Sequence, residues 1–183
     1  MKPIQGYDLI NEAGEFERLP AGIYGVRITK VVDNPTEEYL EIYCDITKGE
    51  YANYFKKLTD AGMIDTSRSF RSYKTAAVPF FKAFITAVEK TNSGYQWNWD
   101  EQTLVGKNVI AVFGEEEYIA KDGSVKVSTK VVEFRSLEAY QSGKLTVPPL
   151  KKLTPEELAK AAQANVPADT PVVSPVDLTD LPF

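Results

Sequence analysis

The sequence predicts a mainly β domain followed by a polar tail, on three observations. Residues 39–46 alternate apolar and polar side chains without a break, the period of two demanded of a strand with one buried face. Ala120-Lys121-Asp122-Gly123 divides two β-rich runs, and an Asp-Gly pair there signals a hairpin because it supplies positive φ. Between these β segments, residues 75–90 carry one apolar stripe at helical spacing.

The elements follow in order. Residues 1–20 read as an arm packing on the domain, anchored by Tyr7, Leu9, Ile10 and Phe16, with Leu19-Pro20-Ala21-Gly22 as a turn. The first strand is Ile23 to Val32, with Tyr24, Val26 and Ile28 on one face and Arg27 and Thr29 on the other. Asp33-Asn34-Pro35-Thr36 turns the chain. In the second strand Leu40, Ile42, Cys44 and Ile46 point inward, while Tyr39, Glu41, Tyr43 and Asp45 point outward. A third strand is expected from Tyr51 to Leu58, with Tyr51 and Phe55 inward and Tyr54 and Lys56 outward. Residues 59–74 read as irregular.

The helix then runs from about Thr75 to Lys90, capped by Thr75, with Pro79 tolerated in the first turn. Its stripe is Ala77, Phe80, Phe81, Phe84, Ile85 and Val88. Tyr95, Trp97 and Trp99 fall in a polar loop. Val109 to Phe113 is the fourth strand and Val125 to Phe134 the fifth, with Val125, Val127 and Val131 inward. Glu115-Glu116-Glu117 reads as a solvated strand end or loop. Residues 137–153 wind down. Thr154-Pro155-Glu156-Glu157 opens a short helix to about Ala164, with Thr as cap, Pro in the first helical position and Glu157 completing a capping box.

Composition narrows the chemistry. There is no histidine and one cysteine, Cys44, which excludes His-based catalysis, a conventional zinc site and an intrachain disulfide. Cys44 falls on the apolar side of its strand and reads as a small core residue. No cofactor and no metal site are expected, nor an enzymatic role. The start of the chain shows no apolar signal core, and no apolar run reaches membrane-spanning length, so a cytoplasmic location is expected. The net charge of −5 is unevenly divided. Residues 154–183 hold five acids and one base, a balance of −4, leaving residues 1–153 at −1. A near-neutral domain can still bear a basic face.

Three strands, a helix, then two strands is the order of the OB-fold, a five-stranded barrel with its helix between strands three and four. Residues 1–153 are therefore expected to form an OB-fold domain with an N-terminal arm, and residues 154–183 a short helix and a flexible acidic tail. That fold binds oligonucleotides around strands two and three. Residues 48–74 interleave cations and aromatics most densely, as single-stranded DNA demands. The expected contacts there are Lys48, Tyr54, Lys56, Lys57, Arg68, Phe70, Arg71, Tyr73 and Lys74. Arg27, Lys126 and Lys130 extend the track, and Trp97 is either an interface aromatic or part of a lid over the barrel end.

Residues 19–24, Tyr39-Leu40-Glu41-Ile42 through Ile46, Gly49-Glu50-Tyr51, the helix, Leu104-Val105-Gly106-Lys107 and the closing hairpin together resemble a family of small phage early proteins. These come from replication and recombination modules, and many are regarded as single-stranded DNA-binding proteins. The final stretch, Asp177-Leu178-Thr179-Asp180-Leu181-Pro182-Phe183, resembles the C-terminal tip of bacterial single-stranded DNA-binding proteins, which recruits replication and repair enzymes. It follows a spacer broken by Pro167, Pro171 and Pro175, which reads as an extended tether.

The resemblance implies non-sequence-specific single-stranded DNA binding in the host cytoplasm. It also implies docking of replication or recombination proteins on Asp177, Asp180, Leu181, Pro182 and Phe183. Two alternatives stay open: a carboxylate, metal-dependent nuclease or resolvase of the same module, and an adaptor barrel that binds another protein. Assembly into a homo-oligomer stays open as well.

Overall fold

The computed structural model describes the backbone of residues 17–164 and the side chains of residues 17–159. The N-terminal arm before Glu17 and the docking tail, with Asp177, Asp180, Leu181, Pro182 and Phe183, lie outside the described residues.

Strands β1 (Gly22–Asn34), β2 (Tyr39–Ile46), β3 (Ser69–Ser72), β4 (Asn108–Ile119) and β5 (Val125–Arg135) form one antiparallel sheet in the order β3-β2-β1-β4-β5. Helix α1 (Tyr54–Asp60) lies between β2 and β3, α2 (Val78–Thr91) between β3 and β4, and α3 (Leu137–Gln141) and α4 (Pro155–Ala164) follow β5. The fold is thus mainly β with five strands, as expected. Among the described residues no ladder joins β3 to β5, so the sheet is open where a barrel was expected. The two edges nevertheless touch through side chains, the Arg71 guanidinium lying 4.6 Å from the Phe134 ring centre.

The alternating strand behaves as read: Leu40, Ile42, Cys44 and Ile46 are all buried. Val26 and Ile28 join them from β1, and Val109, Ala111 and Phe113 from β4. Helix α2 lays Phe84, Ile85, Ala87 and Val88 against this core. The other face of β4 is buried too, with Ile110 and Val112 covered. The chain after β5 returns there: Lys151 exchanges backbone hydrogen bonds with Glu115 and Glu117, and a side chain at Gly114 would meet Pro148 at 3.0 Å. That return also draws Glu115–Glu117 into β4 rather than a loop.

Several expectations are corrected. Residues Tyr51–Leu58 do not form a strand; Tyr54–Asp60 is helix and the third strand is Ser69–Ser72. The buried Phe55 and Leu58 are three apart, the spacing of one helical face, and Tyr51 packs with them four residues earlier. Asp45 explains why the helix starts there. It points outward with its ladder partner Arg27, as read, but is buried beneath the start of α1, accepting from Phe55 N (3.1 Å) and Lys56 N (3.0 Å) as well as from Ile46 N. It thus satisfies amide donors that a helix start leaves without partners.

Thr75 does not cap; it opens a 3₁₀ turn, Thr75–Ala77, that leads into α2. Phe80 is 76% exposed and Val125 50% exposed, each at an element end beyond the packed face. The hairpin and the capping box form as read. Gly123 takes φ 78°, and Thr154 N donates to Glu157 Oε2 while Glu157 N donates to Thr154 Oγ1. Among the described residues, no helix is long and apolar enough to cross a membrane.

Candidate nucleic-acid interface

Strand register fixes which side chains share the outer face of β1-β2-β3, because residues directly opposite in a ladder point the same way. The pairs are Lys30 with Tyr43, Val32 with Glu41, Asn34 with Tyr39, and Glu41 with Phe70. A bulge at Thr29 makes this possible. Strict alternation from Val26 would send Lys30 inward; the extra residue turns Val31 into the core and Lys30 out.

The face is a chain of aromatic and cationic contacts. Lys30 Nζ lies 5.0 Å from the Tyr43 ring centre, and the Arg68 guanidinium lies 5.0 Å from that of Phe70. Phe70 meets Tyr39 edge to face at 5.1 Å, and half of its surface is open to solvent. Glu41 sits among them. It accepts from the Tyr43 hydroxyl at 2.9 Å and pairs with Arg68 at 3.8 Å. Burial, then the Glu41 carboxylate, raise the Tyr43 phenol above its ordinary pKa, so this hydroxyl stays a donor at neutral pH.

Beyond Lys30 the face continues to Arg27, whose Nε donates to Asn108 Oδ1 at 3.4 Å. Arg27 and Lys56 line a common cleft of about 440 Å³ with Asn53, Thr47 and Asp65. Lys56 also pairs with Asp60 one helical turn away.

The expected contact residues divide accordingly. Arg68 and Phe70 are on the face, and Arg27 and Lys56 flank it. Lys48, Lys57 and Lys74 are exposed beside it on the turn after β2, on α1 and after β3. Lys126 and Lys130 lie on β5, at the opposite edge of the sheet, ion-paired with Asp122 and Glu116.

Three residues expected to face DNA are turned to other work. Tyr54 is half-buried on α1, donating its hydroxyl to Glu17 O (3.0 Å) and accepting from Leu19 N (3.1 Å). Arg71 points inward onto Phe134, and burial pulls its pKa down to about 10. Tyr73 packs edge to face on Phe81 and donates to Asp33 Oδ1 at 2.8 Å. Trp97 packs against the core.

Sequence reading did not single out Lys30, Tyr39 and Tyr43, which the register places on this face. The signal was present for the tyrosines, which sit on the polar side of the clearest alternating strand. For Lys30 it was hidden by the bulge. Among the described residues, no group of three or more Cys, Asp or Glu converges as metal ligands would. Compared with known proteins, the chain matches no family model and no curated protein.

Proposed function

We propose that this protein binds single-stranded DNA without sequence preference, on the outer face of β1-β2-β3. The observation that carries the reading is the ladder of Lys30–Tyr43 and Tyr39–Phe70–Arg68 contacts on one face, joined through Glu41. Aromatic faces accept any base by stacking, and cations beside them meet the backbone, which is the chemistry of sequence-tolerant single-strand binding. The strand adjacency supports it. β1 lies beside β2 and β4, β2 beside β3, and β4 beside β5, with a helix between β3 and β4, an order compatible with an OB-fold except that among the described residues no ladder joins β3 to β5. In that fold oligonucleotides lie on the side where this ladder stands.

The acidic C-terminal segment completes the proposal as a recruiter of replication or recombination proteins, operating in phage DNA metabolism. The domain would hold the strand while the segment presents Phe183, with Asp177 and Asp180, to a basic-rimmed apolar pocket on a partner.

The test is titration of the full chain with labelled oligo-dT at two salt concentrations, against duplex DNA of equal length. Tight binding of oligo-dT, weaker binding of duplex and a negative salt slope of about 0.7 per phosphate contact are expected. No binding at low salt, or preference for duplex, overturns the reading.

A further inference from the structure

We infer that a second site, at the far end of β1, takes a cationic side chain, Arg or Lys, from a partner protein. A cavity of about 320 Å³ opens there, with Tyr73, Phe81, Trp97 and Trp99 among its walls and the carboxyl-bearing Asp33 and Glu101 beside them. Among the described residues no Lys or Arg lines it. Aromatic rings present negative π faces that attract cations, and two carboxylates reinforce the sign. Burial, and then Asp33, push the Tyr73 phenol up to about 12, with Glu38 and Glu101 adding to it. A phosphate backbone would be repelled by the same groups, so the strand bound on the Phe70 face has no reason to continue here.

The loop that builds the site is held firmly, yet presents its largest ring to water. Trp97 N donates to Glu89 Oε1 at 2.8 Å, the Tyr95 and Thr103 hydroxyls meet at 2.9 Å, and Asp100 Oδ1 accepts from Gln102 N at 3.0 Å. Within this frame Trp99 has φ 67°, a conformation that bulky residues avoid, and its side chain is 84% exposed. An indole kept in a strained backbone without burial signals a binding role rather than packing. The Trp97 Nε1 donor is buried and has no hydrogen-bond partner.

The chain has two tryptophans and both are in this site, so intrinsic fluorescence reads it selectively. The probes are the capped peptides Leu-Arg-Leu, Leu-Gln-Leu and Leu-Glu-Leu, titrated into the full chain, with oligo-dT as a fourth arm. Leu-Arg-Leu is expected to give a saturable emission change at about millimolar concentration, with the other two peptides about tenfold weaker or silent. Glu101→Gln, which removes charge but keeps shape, should erase most of the preference for Arg. Trp99→Ala should weaken Leu-Arg-Leu while leaving oligo-dT affinity unchanged, since the exposed ring supports no core packing.

Equal binding of the three peptides would overturn the cation assignment. So would the absence of any response to Leu-Arg-Leu, or loss of oligo-dT affinity in Trp99→Ala, which would assign the cavity to a base. A failure of DNA binding itself, seen as no oligo-dT affinity in the parent chain, leaves the peptide arms readable.

Discussion

Phe70→Ala is the sharpest perturbation of the proposed DNA face. The ring sits on β3 with 48% of its surface exposed, its edge contact to Tyr39 at 5.1 Å and Arg68 at 5.0 Å. A stacked base is worth about 1–3 kcal/mol by alanine substitution. Because only half the ring is open, the lower part of that range applies, about 1–2 kcal/mol, or roughly a five- to thirtyfold loss of affinity. The cost to folding is small, about 1 kcal/mol or less, since only the buried half of the side chain contributes apolar burial. Fluorescence anisotropy with labelled oligo-dT measures the first quantity and urea unfolding the second. Tyr73→Ala is the matched control. Its ring packs on Phe81 and its hydroxyl is committed to Asp33, so it should cost stability while leaving DNA affinity within about twofold. If Phe70→Ala binds as the parent does, or Tyr73→Ala loses more affinity than Phe70→Ala, the outer face of β1-β2-β3 is not the interface.

Other consequences can be measured alongside. Asp45→Ala leaves three backbone donors without their acceptor, two of them at the start of α1, and should lower unfolding free energy by about 2–3 kcal/mol in urea; a loss under about 0.5 kcal/mol would show that α1 is held by packing alone. The Tyr73 phenol has its pKa raised to about 12 in the folded state from 10.0. The folded protein therefore holds this proton more tightly, and the resulting stability is complete below pH 10 and lost as pH rises toward 12. Tyr73→Phe should flatten that part of the alkaline stability profile, and an unchanged profile would count against the Asp33 contact. Deleting Asp177–Phe183 removes two acids and the terminal aromatic; oligo-dT affinity should hold or rise slightly at low salt, while capture of replication or recombination partners should be lost. Identical partner sets from the two chains would refute a docking role.

The parts of the fold legible in the sequence were those dictated by one local rule. The β2 alternation, the Asp122-Gly123 turn and the Thr154/Glu157 capping box each follow from residues within a few positions of one another. What escaped depends on distant partners. Tyr51, Phe55 and Leu58 fit a helical face, yet Tyr51 and Phe55 also fit one side of a strand when Leu58 is set aside. The tie is broken by the Asp45 carboxylate, which accepts from Phe55 N and Lys56 N across ten and eleven residues. Strand β3, four residues long, has too few positions to show a period of its own. It exists because Leu40, Glu41 and Ile42 have backbone groups to satisfy along that edge of β2.

The candidate site shows the same division in a more consequential form. Density of cations and aromatics pointed to residues 48–74, and Arg68 and Phe70 from that window do stand on the outer face. Density says nothing of direction, however, and Arg71 is the neighbour that shows why this matters. Successive strand residues point to opposite faces, so the residue after an outward Phe70 must turn inward. Its guanidinium then spans the open seam to stack on Phe134, where burial lowers its pKa to about 10. The cation that composition would assign to a phosphate instead joins the two edges of the sheet. The one at Lys30, which alternation would bury, is delivered to the face by a single inserted residue in β1. A basic face on a chain of net charge −5 is therefore built by register rather than by abundance. For the same reason a one-residue deletion of Thr29 should spare the face. It removes the bulge and leaves Ile28 inward, Lys30 outward and Val31 inward by plain alternation. Oligo-dT affinity should therefore suffer less than in Lys30→Ala, and a larger loss on deletion would refute this register argument.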